Sequence, residues 1–318
     1  MKISSTSLFL LTFKEVASFS QLYGQPVIGI LSYPETEKNT SVVEENSAVQ
    51  ESFSSYFDAS YVKWIEQSGA RVAPIRYDLP PDEIASLFSK LNGVLFTGGP
   101  DMPQTDARYY QAAQQLFDLV NTNGDNDVPL WGTCLGFETI SSIASGVGDA
   151  VLTNFDAEKI SLPLNAVDES ARMINGMGSD MLETLETANI TTNWHTFGVS
   201  QDDFSKLVTP SGFIIVSVNN DRVGKTFVST IEHDTKPIYA TQWHPEANQF
   251  DGDDKRGDST PDRSSEAVDV VQFMSKFFVG EARRNDHTFG EDEWKESVIG
   301  GDLDGMGIIY DGFVYHFV

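Results

Sequence analysis

One cysteine, Cys134, occurs among the 318 residues of the chain, and it stands in the segment Gly132-Thr133-Cys134-Leu135-Gly136. A single cysteine lacks a partner for an intramolecular disulfide, which excludes a cross-linking role. Cys134 could be a reactive thiol, or it could be a buried, unreactive thiol that packs as a small apolar side chain. The flanking sequence favours a nucleophile, because a strand-like apolar run leads into the cysteine and apolar residues at helical spacing follow it.

A turn from a strand into a helix suits a reactive thiol. The first turn of a helix carries unpaired N–H groups and a partial positive charge, and both favour the thiolate, which is the reactive form of cysteine. The glycines at 132 and 136 leave room for such a turn, and the N–H of Leu135 is placed to stabilise an oxyanion. The pattern is the thiol counterpart of the nucleophile elbow of α/β-hydrolases.

A cysteine nucleophile needs a base, and the chain offers five histidines. His244 is the candidate, because it ends a strand-like run and is followed by Pro245 and Glu246. Proline fixes the backbone between the two, and residues two apart in an extended segment project to the same side. Glu246 is therefore predicted to orient the imidazole as the third member of a triad. Taken alone, His-Pro-Glu also fits a surface turn.

Two motifs together resemble a known superfamily. Gly-Thr-Cys-Leu-Gly-Phe-Glu at 132–138 and Gln-Trp-His-Pro-Glu at 242–246 are similar to motifs of class I glutamine amidotransferases. More closely, the chain resembles the gamma-glutamyl hydrolase family, whose members trim folylpolyglutamates. The similarity covers nearly the whole chain from Pro26, and its further matching segments are 26–31, 69–76, 95–99, 193–195 and 277–285.

Two positions distinguish branches of that superfamily. Biosynthetic glutaminase domains usually carry Gln four residues after the nucleophile, whereas Glu138 stands there in this chain, as in gamma-glutamyl hydrolases. The resemblance thus implies that Glu138 binds substrate. Asn193-Trp194-His195 is a further match, and the resemblance implies a substrate-positioning or auxiliary role for His195. A partly buried histidine bonded to backbone is the alternative for His195.

Gly98 and Gly99 close a strand-like run and permit a close approach of the backbone to a ligand. The resemblance implies that Gly98 contacts substrate and that the N–H of Gly99 is the second oxyanion donor, beside that of Leu135. Without the resemblance, Gly-Gly-Pro is typical of a plain turn. Pro100 departs from the animal members of the family, and it has no N–H to donate.

The chain carries 47 acidic and 21 basic residues, which gives a formal net charge of −26. This argues against a nucleic-acid partner, because such partners need a basic surface. It also repels a polyanionic substrate at long range. We therefore expect a local cationic pocket, with Arg76 at the end of the second strand as its best-placed member. An ordinary surface position for Arg76 fits the sequence equally well.

Alternating strand-like and helix-like segments predict an α/β fold with a mainly parallel sheet and helices on both faces. The predicted strands cover 26–32, 70–76, 93–98 and 128–133, and the predicted helices cover 53–68, 81–90, 107–120 and the residues after Cys134. Later strand-like stretches at 212–218, 225–232 and 238–243 predict a small antiparallel extension plus the strand that carries His244, before a helix over 264–284. The resemblance implies the class I glutamine amidotransferase-like, flavodoxin-like form of this fold.

The amino terminus fits a secretory signal, with Lys2 before a short apolar core that Lys14 and Glu15 interrupt early. We predict a signal peptide over 1–20, a single catalytic domain over 21–318 and no transmembrane span. Asn39 and Asn189 head N-glycosylation sequons. Together with the habit of the family, these features predict a lysosomal, vacuolar or extracellular enzyme.

The predicted function is cleavage of γ-glutamyl bonds in folylpoly-γ-glutamates through a thioester on Cys134, with no metal or organic cofactor. A homodimer is an expectation from the family alone. One alternative is a glutaminase-type or other small γ-glutamyl-amide hydrolase of the same superfamily. Another is a catalytically dead polyglutamate-binding protein, which the presence of all three triad residue types disfavours. The last is a storage or structural glycoprotein, which the clustering of reactive-site residues disfavours.

Overall fold

The computed structural model describes residues 24–35, 54–100, 104–105, 107–122, 128–251, 261–300 and 306–318. Three of the sequence predictions, the signal peptide over 1–20, the sequon at Asn39 and the start of the catalytic domain at 21, lie outside the described residues. No helix in the described part of the chain combines the length and the apolar composition needed to cross a membrane.

The strands are, in chain order, β1 (Val27–Leu31), β2 (Tyr33–Pro34), β3 (Ser55–Asp58), β4 (Arg71–Ile75), β5 (Gly93–Phe96), β6 (Leu130–Thr133), β7 (Thr153–Leu162), β8 (Thr191–Gly198), β9 (Phe213–Asn220), β10 (Thr226–His233), β11 (Ile238–Thr241), β12 (Ile308–Tyr310) and β13 (Val314–Phe317). The main helices are α1 (Ala59–Glu66), α2 (Pro81–Phe88), α3 (Arg108–Thr122), α4 (Leu135–Ser145), α5 (Ser179–Thr187), α6 (Ala247–Phe250), α7 (Ser265–Ala282) and α8 (Glu291–Ser297). Mixed short helical turns fill 201–211.

Seven strands form the central sheet, in the order β4-β1-β5-β6-β11-β10-β9. The first five strands are parallel to one another, and β10 runs antiparallel to both of its neighbours. The parallel part has the 2-1-3-4-5 order of flavodoxin-like sheets. The predicted mainly parallel sheet with an antiparallel extension is confirmed.

The two faces of this sheet bury separate apolar clusters, because successive side chains of a strand point to opposite faces. Val27 and Leu31 of β1 pack in a cluster with residues of α2, α3 and α4. Ile28 and Ile30 pack in a second cluster with residues of α1, α5 and α7. Helices therefore cover both faces, as the sequence predicts.

Aromatic rings fix the strand that leads to the cysteine. Trp131 of β6 lies 5.3 Å from Trp64 of α1 and 5.6 Å from Phe278 of α7, measured between ring centroids. All three side chains are fully buried, and burying a ring such as that of Phe278 stabilises a fold by about 2–3 kcal/mol. The end of β6 is thus held on one face by two helices.

A second sheet of four strands, in the order β12-β13-β3-β2, corrects one prediction. The helix predicted over 53–68 begins only at Ala59, because the four residues before it form β3. β3 pairs with β13, from the far end of the chain, and Phe57 packs 5.1 Å from Phe317. A partner so distant in sequence leaves no local signal, so the sequence alone predicts helix where β3 forms.

Three neighbouring strands bring the candidate site residues to one edge of the central sheet. β5 ends two residues before Gly98, β6 ends one residue before Cys134, and β11 ends three residues before His244. Because β6 lies between β5 and β11, the cysteine stands between the glycine turn and the histidine. Ligands of open α/β sheets bind beyond this carboxyl edge.

The amino end of α4 packs unusually close to β5. A Cβ atom built on Gly136 would overlap the backbone carbonyl group of Phe96. Backbone atoms cannot yield as a flexible side chain can. Gly136 therefore permits the contact that sets the first turn of α4 beside the end of β5.

We expect Gly136→Ala to destabilise the protein by about 2 kcal/mol or more, because the new methyl group must displace the backbone of Phe96. Gly280→Ala is the matched control. Gly280 lies exposed in α7 and a Cβ there meets nothing within 4 Å, so alanine should raise stability by about 0.5–1 kcal/mol. Urea denaturation of both variants measures the difference. If Gly136→Ala were as stable as the wild type, the close contact between Gly136 and Phe96 would be contradicted.

Candidate active site

Cys134 occupies a backbone conformation that few residues other than glycine adopt, with φ 53° and ψ −105°. Such a conformation costs about 1–3 kcal/mol and persists only where the surroundings enforce it. Here the N–H of Cys134 donates to the carbonyl of Thr241 at 2.9 Å, and its own carbonyl accepts from the N–H of Glu138 at 3.0 Å. The residue is thus fixed between the end of β6 and the first turn of α4, as predicted for a nucleophile elbow.

His244 and Glu246 form a short buried contact. Nδ1 of His244 lies 2.6 Å from Oε1 of Glu246, and both residues are 2% exposed. His244 and Glu246 pair as the sequence predicts, but the extended backbone predicted between them is wrong. Glu246 has helical backbone angles, φ −76° and ψ −21°, at the start of α6. The carboxylate reaches the ring from a tight turn and not from an extended segment.

Neighbouring groups favour the charged form of the imidazole. Burial opposes that form, but the Glu246 carboxylate and the Cys134 side chain together raise the pKa of His244 well above its ordinary value. Nε2 of the ring has no nitrogen or oxygen partner among the described residues. This arrangement leaves Nε2 for the thiol proton and stabilises the imidazolium that forms when the proton arrives.

Two aromatic side chains hold the ring from other directions. The Trp194 and His244 ring centroids lie 4.8 Å apart, and the hydroxyl of Tyr61 lies 3.5 Å from Nδ1 of His244. The same hydroxyl accepts the N–H of Gly98 at 2.8 Å. Tyr61 thereby links the glycine turn to the histidine. It lies in α1, where nothing but a general apolar pattern marks it in the sequence, so its role at the site could not be predicted.

Gly98 is required for space. A Cβ atom at this position would lie 2.8 Å from Cε1 of His244 and 2.9 Å from the Tyr61 hydroxyl. Because its N–H is bonded to Tyr61, Gly98 serves this site by its small size and not as an oxyanion donor. The predicted donors, Gly99 and Leu135, line the cavity and begin α4, respectively. The N–H of Leu135 belongs to the first turn of α4, where no intrahelical acceptor exists.

Glu138 lies in the first turn of α4, 4% exposed, and borders the cavity. Nε2 of Gln242 donates to its Oε1 at 3.1 Å. Burial raises the pKa of Glu138 to about 8, although the bond from Gln242 opposes the shift. The side chain is therefore a neutral carboxylic acid at acidic and neutral pH, and it can donate a hydrogen bond as well as accept one.

His195 combines features of both readings of the sequence. It borders the cavity, but Nδ1 lies 2.7 Å from the carbonyl of Phe197 and Nε2 lies 3.2 Å from Oδ1 of Asn193. Burial lowers the pKa of His195 to about 3, so the ring is neutral. It packs edge-on against Phe227, with centroids 4.8 Å apart. The structure thus places it beside the substrate space as an uncharged ring that is bonded within its own strand.

Arg76 is not brought to the cavity, which corrects the prediction of a cationic pocket at this residue. Its Nε and Nη2 donate to the two carboxylate oxygens of Asp78, at 3.1 and 3.0 Å, and its Nη1 donates to the carbonyl of Val318 at 2.6 Å. β4 is the edge strand of the sheet, two strands away from the glycine turn of β5.

Asn189, the first residue of the second predicted sequon, is exposed in the turn before β8.

The cavity beside Cys134 has a volume of about 670 Å³. Its wall is partly aromatic, through Tyr56, Phe57, Trp194 and Phe197. The acidic and basic side chains among its described lining residues are Asp58, Glu138, Glu158, Lys159, His195 and His244. The described residues contain no cluster of His, Cys, Asp or Glu that could hold a metal ion.

The fold and the group formed by Cys134, His244 and Glu246 define a hydrolase with a cysteine nucleophile. The profile of the Peptidase C26 family matches residues 26–246. The chain belongs to that family.

Several curated relatives and solved structures are similar to the chain. "Gamma-glutamyl hydrolase B" of Dictyostelium discoideum is 35% identical over 92% of the chain and 82% of its own length. The rat and human proteins named gamma-glutamyl hydrolase are 39% and 33% identical, over 77% and 86% of the chain and 77% and 83% of their own lengths. The glutaminase domain of Trypanosoma brucei CTPS, solved with bound acivicin, shares the fold at a TM-score of 0.53 and 13% identity, over 84% of the chain and 97% of the domain.

The protonated state of Glu138 predicts a pH-dependent stability. Because the folded pKa of about 8 exceeds the ordinary value near 4.3, the folded protein keeps a proton that the unfolded chain has lost. This contribution is fully present below about pH 4 and is lost as the pH rises toward about 8. The wild-type protein should therefore lose stability relative to Glu138→Gln over this range, as measured by urea denaturation at pH 5, 6.5 and 8.

Glu158→Gln is the matched control for this measurement, because Glu158 is an exposed carboxylate on the rim of the same cavity. Its stability should run parallel to that of the wild type over the same range of pH. Parallel curves for wild type and Glu138→Gln would show that Glu138 is ionised in the folded protein.

Proposed function

We propose that the protein hydrolyses γ-glutamyl bonds through a thioester intermediate on Cys134. One observation carries the proposal, namely the buried 2.6 Å contact between His244 and Glu246 beside a cysteine held at positive φ. This constellation has the nucleophile, base and orienting carboxylate of a triad. The names of the relatives, gamma-glutamyl hydrolase in each case, supply the bond that is cleaved.

In the first half of the reaction, His244 takes the thiol proton and the Cys134 sulfur attacks the γ-carbonyl carbon. A new C–S bond forms, and the carbonyl oxygen becomes an oxyanion that the N–H groups of Leu135 and Gly99 stabilise. The C–N bond then breaks. His244 returns its proton to the departing nitrogen, so that an amine leaves and the γ-glutamyl thioester remains.

In the second half, His244 removes a proton from water, and the hydroxide attacks the thioester carbonyl. The C–S bond breaks, and the sulfur recovers the proton from His244. Glu246 keeps the ring in one orientation through both halves, with its carboxylate against Nδ1. The products are a free γ-carboxyl group and the regenerated thiol.

We extend the proposal to folylpoly-γ-glutamates as the substrate class. The support is the resemblance of the motifs to a family that trims such compounds, together with the size and composition of the cavity. A volume of about 670 Å³ is within the range of sites that bind drug-sized molecules. An aromatic wall that includes Trp194 and Phe197 suits a planar ring system or its aromatic linker.

The test compares pteroyl-tri-γ-glutamate, γ-glutamyl-glutamate and free glutamine as substrates, at acidic and neutral pH, with products resolved by chromatography. We expect cleavage of the two γ-glutamyl peptides and slower release of ammonia from glutamine. Cys134→Ala should abolish turnover. Glu246→Gln should lower kcat by about 10²-fold or more, because the ring loses the charge that stabilises its protonated form.

Glu281→Gln provides a matched control for Glu246→Gln. Glu281 lies in α7, where its carboxylate is paired with Tyr239 and Arg284. It does not border the cavity, so kcat should not change. Faster release of ammonia from glutamine than of glutamate from the peptides would favour a glutaminase instead. Binding of the peptides without cleavage, unchanged by Cys134→Ala, would favour a binding protein.

We also propose that the protein follows the secretory route to a lysosomal, vacuolar or extracellular compartment. The support is the apolar segment after Lys2 and the sequon at Asn189, whose side chain is exposed. Amino-terminal sequencing of material secreted by expressing cells should find a start between Phe19 and Tyr23. Recovery of the protein from the cytosol with residues 1–20 intact would contradict this proposal.

A further inference from the structure

Lys159 occupies an irregular position on the strand that faces the cavity. In the pairing of β7 with β8, Glu158 lies opposite Trp194 and Ile160 lies opposite Asn193, so that Lys159 is an extra residue in a β-bulge. Its φ is 57°, in the left-handed region that lysine rarely adopts. Bulges of this kind redirect a side chain and are common beside active sites.

An arginine from another hairpin anchors the bulge. Nη2 of Arg222, in the turn between β9 and β10, donates to the carbonyls of Glu158 and Lys159 at 2.7 and 2.9 Å. Nη1 of Arg222 binds the carboxylate of Asp156 at 2.8 Å. The neighbouring carboxylate of Asp221 accepts the N–H of Asp156 at 2.9 Å. Three carbonyl or carboxylate groups on one guanidinium fix the backbone of Lys159 in its unusual conformation.

Lys159 brings a positive charge to a cavity whose other charged lining residues are mainly acidic. Among the described residues, the cavity lining includes the carboxyl groups of Asp58, Glu138 and Glu158 and one basic side chain, that of Lys159. No salt bridge between described residues involves Lys159. In a chain of net charge −26, a lysine among the residues that line the cavity offers an anion local attraction against long-range repulsion.

We propose that Lys159 binds a free α-carboxylate of the γ-glutamyl chain and so selects carboxylate-bearing chains over their amides. For its substrate class the inference rests on the proposed function. The chemistry is that of a charge-assisted hydrogen bond, in which the Lys159 ammonium group donates to a carboxylate oxygen. Every internal unit of a γ-linked glutamate chain carries such a carboxylate, because the linkage uses the γ-carboxyl group.

The test measures binding in the Cys134→Ala protein, so that no ligand is cleaved. Two ligands are compared by calorimetry, tetra-γ-glutamate and the same peptide with its internal α-carboxylates converted to amides. Lys159→Asn removes the charge while keeping a residue type that tolerates positive φ, so the bulge is preserved. Lys159→Arg keeps the charge.

We expect the preference for the carboxylate peptide to fall about three- to tenfold in Lys159→Asn and to persist in Lys159→Arg. The preference should also shrink as salt is added, since the contact is ionic. Lys206→Asn is the matched control, because this substitution changes the net charge by the same amount as Lys159→Asn. Lys206 has 69% of its side chain exposed and lies outside the cavity lining. The control substitution should leave the preference unchanged.

An unchanged preference in Lys159→Asn would overturn the proposal, as would an equal fall in Lys206→Asn or the absence of binding of either peptide to the Cys134→Ala protein. Failure of the proposed function gives a different result. In that case the protein with Cys134 intact does not cleave γ-glutamyl peptides, whatever its binding preference. If Lys159→Asn lost the binding preference but cleaved γ-glutamyl peptides with an unchanged KM, this result would also count against a role of Lys159 in the reaction.

Discussion

The contact between the backbone of β5 and the first turn of α4 is the constraint on which the site depends. Only a glycine at 136 permits this approach, because a side chain would overlap the carbonyl group of Phe96. The approach sets the amino terminus of α4 directly after β6. The chain therefore has one residue, Cys134, in which to change direction. The left-handed conformation of Cys134 follows from that short connection, which the bonds to Thr241 and Glu138 maintain.

The histidine is restrained more fully than a triad requires. Glu246 holds Nδ1, Trp194 packs against the ring, and Tyr61 touches it while bonding the N–H of Gly98. The last of these contacts couples two of the three strand ends that meet at the site. A ring held on several sides has a single orientation toward the thiol, and the entropy of aligning base and nucleophile is lost during folding and not during the reaction.

The sequence was informative wherever neighbours along the chain determine the geometry. The parallel strands, the elbow at Cys134 and the pairing of His244 with Glu246 could all be predicted, since each depends on local pattern or on a short motif. What depends on distant partners could not. β3 forms because β13 pairs with it, and the hydroxyl of Ser54 reaches a carbonyl 263 residues away, at Phe317. Neither contact leaves a trace in the local sequence.

The pocket cation shows the same limit. Arg76 was a reasonable candidate by its place at a strand end, but Asp78 lies two residues away and binds its guanidinium. Lys159 had no distinguishing motif, because its exposure to the cavity arises from a bulge that Arg222 anchors from another hairpin. Tyr61 was missed for a related reason, since a tyrosine on a buried helix face usually contributes to the core.

The burial of Glu138 changes how its side chain can act at the start of α4. With its pKa raised to about 8, the side chain is a neutral acid over most of the physiological range. A neutral acid and an amide have nearly the same shape, and each offers one carbonyl acceptor and one donating group. Glu138 therefore presents almost the same hydrogen-bonding surface that a glutamine would present at this position, and what separates the two residue types is whether the group has a proton to lose.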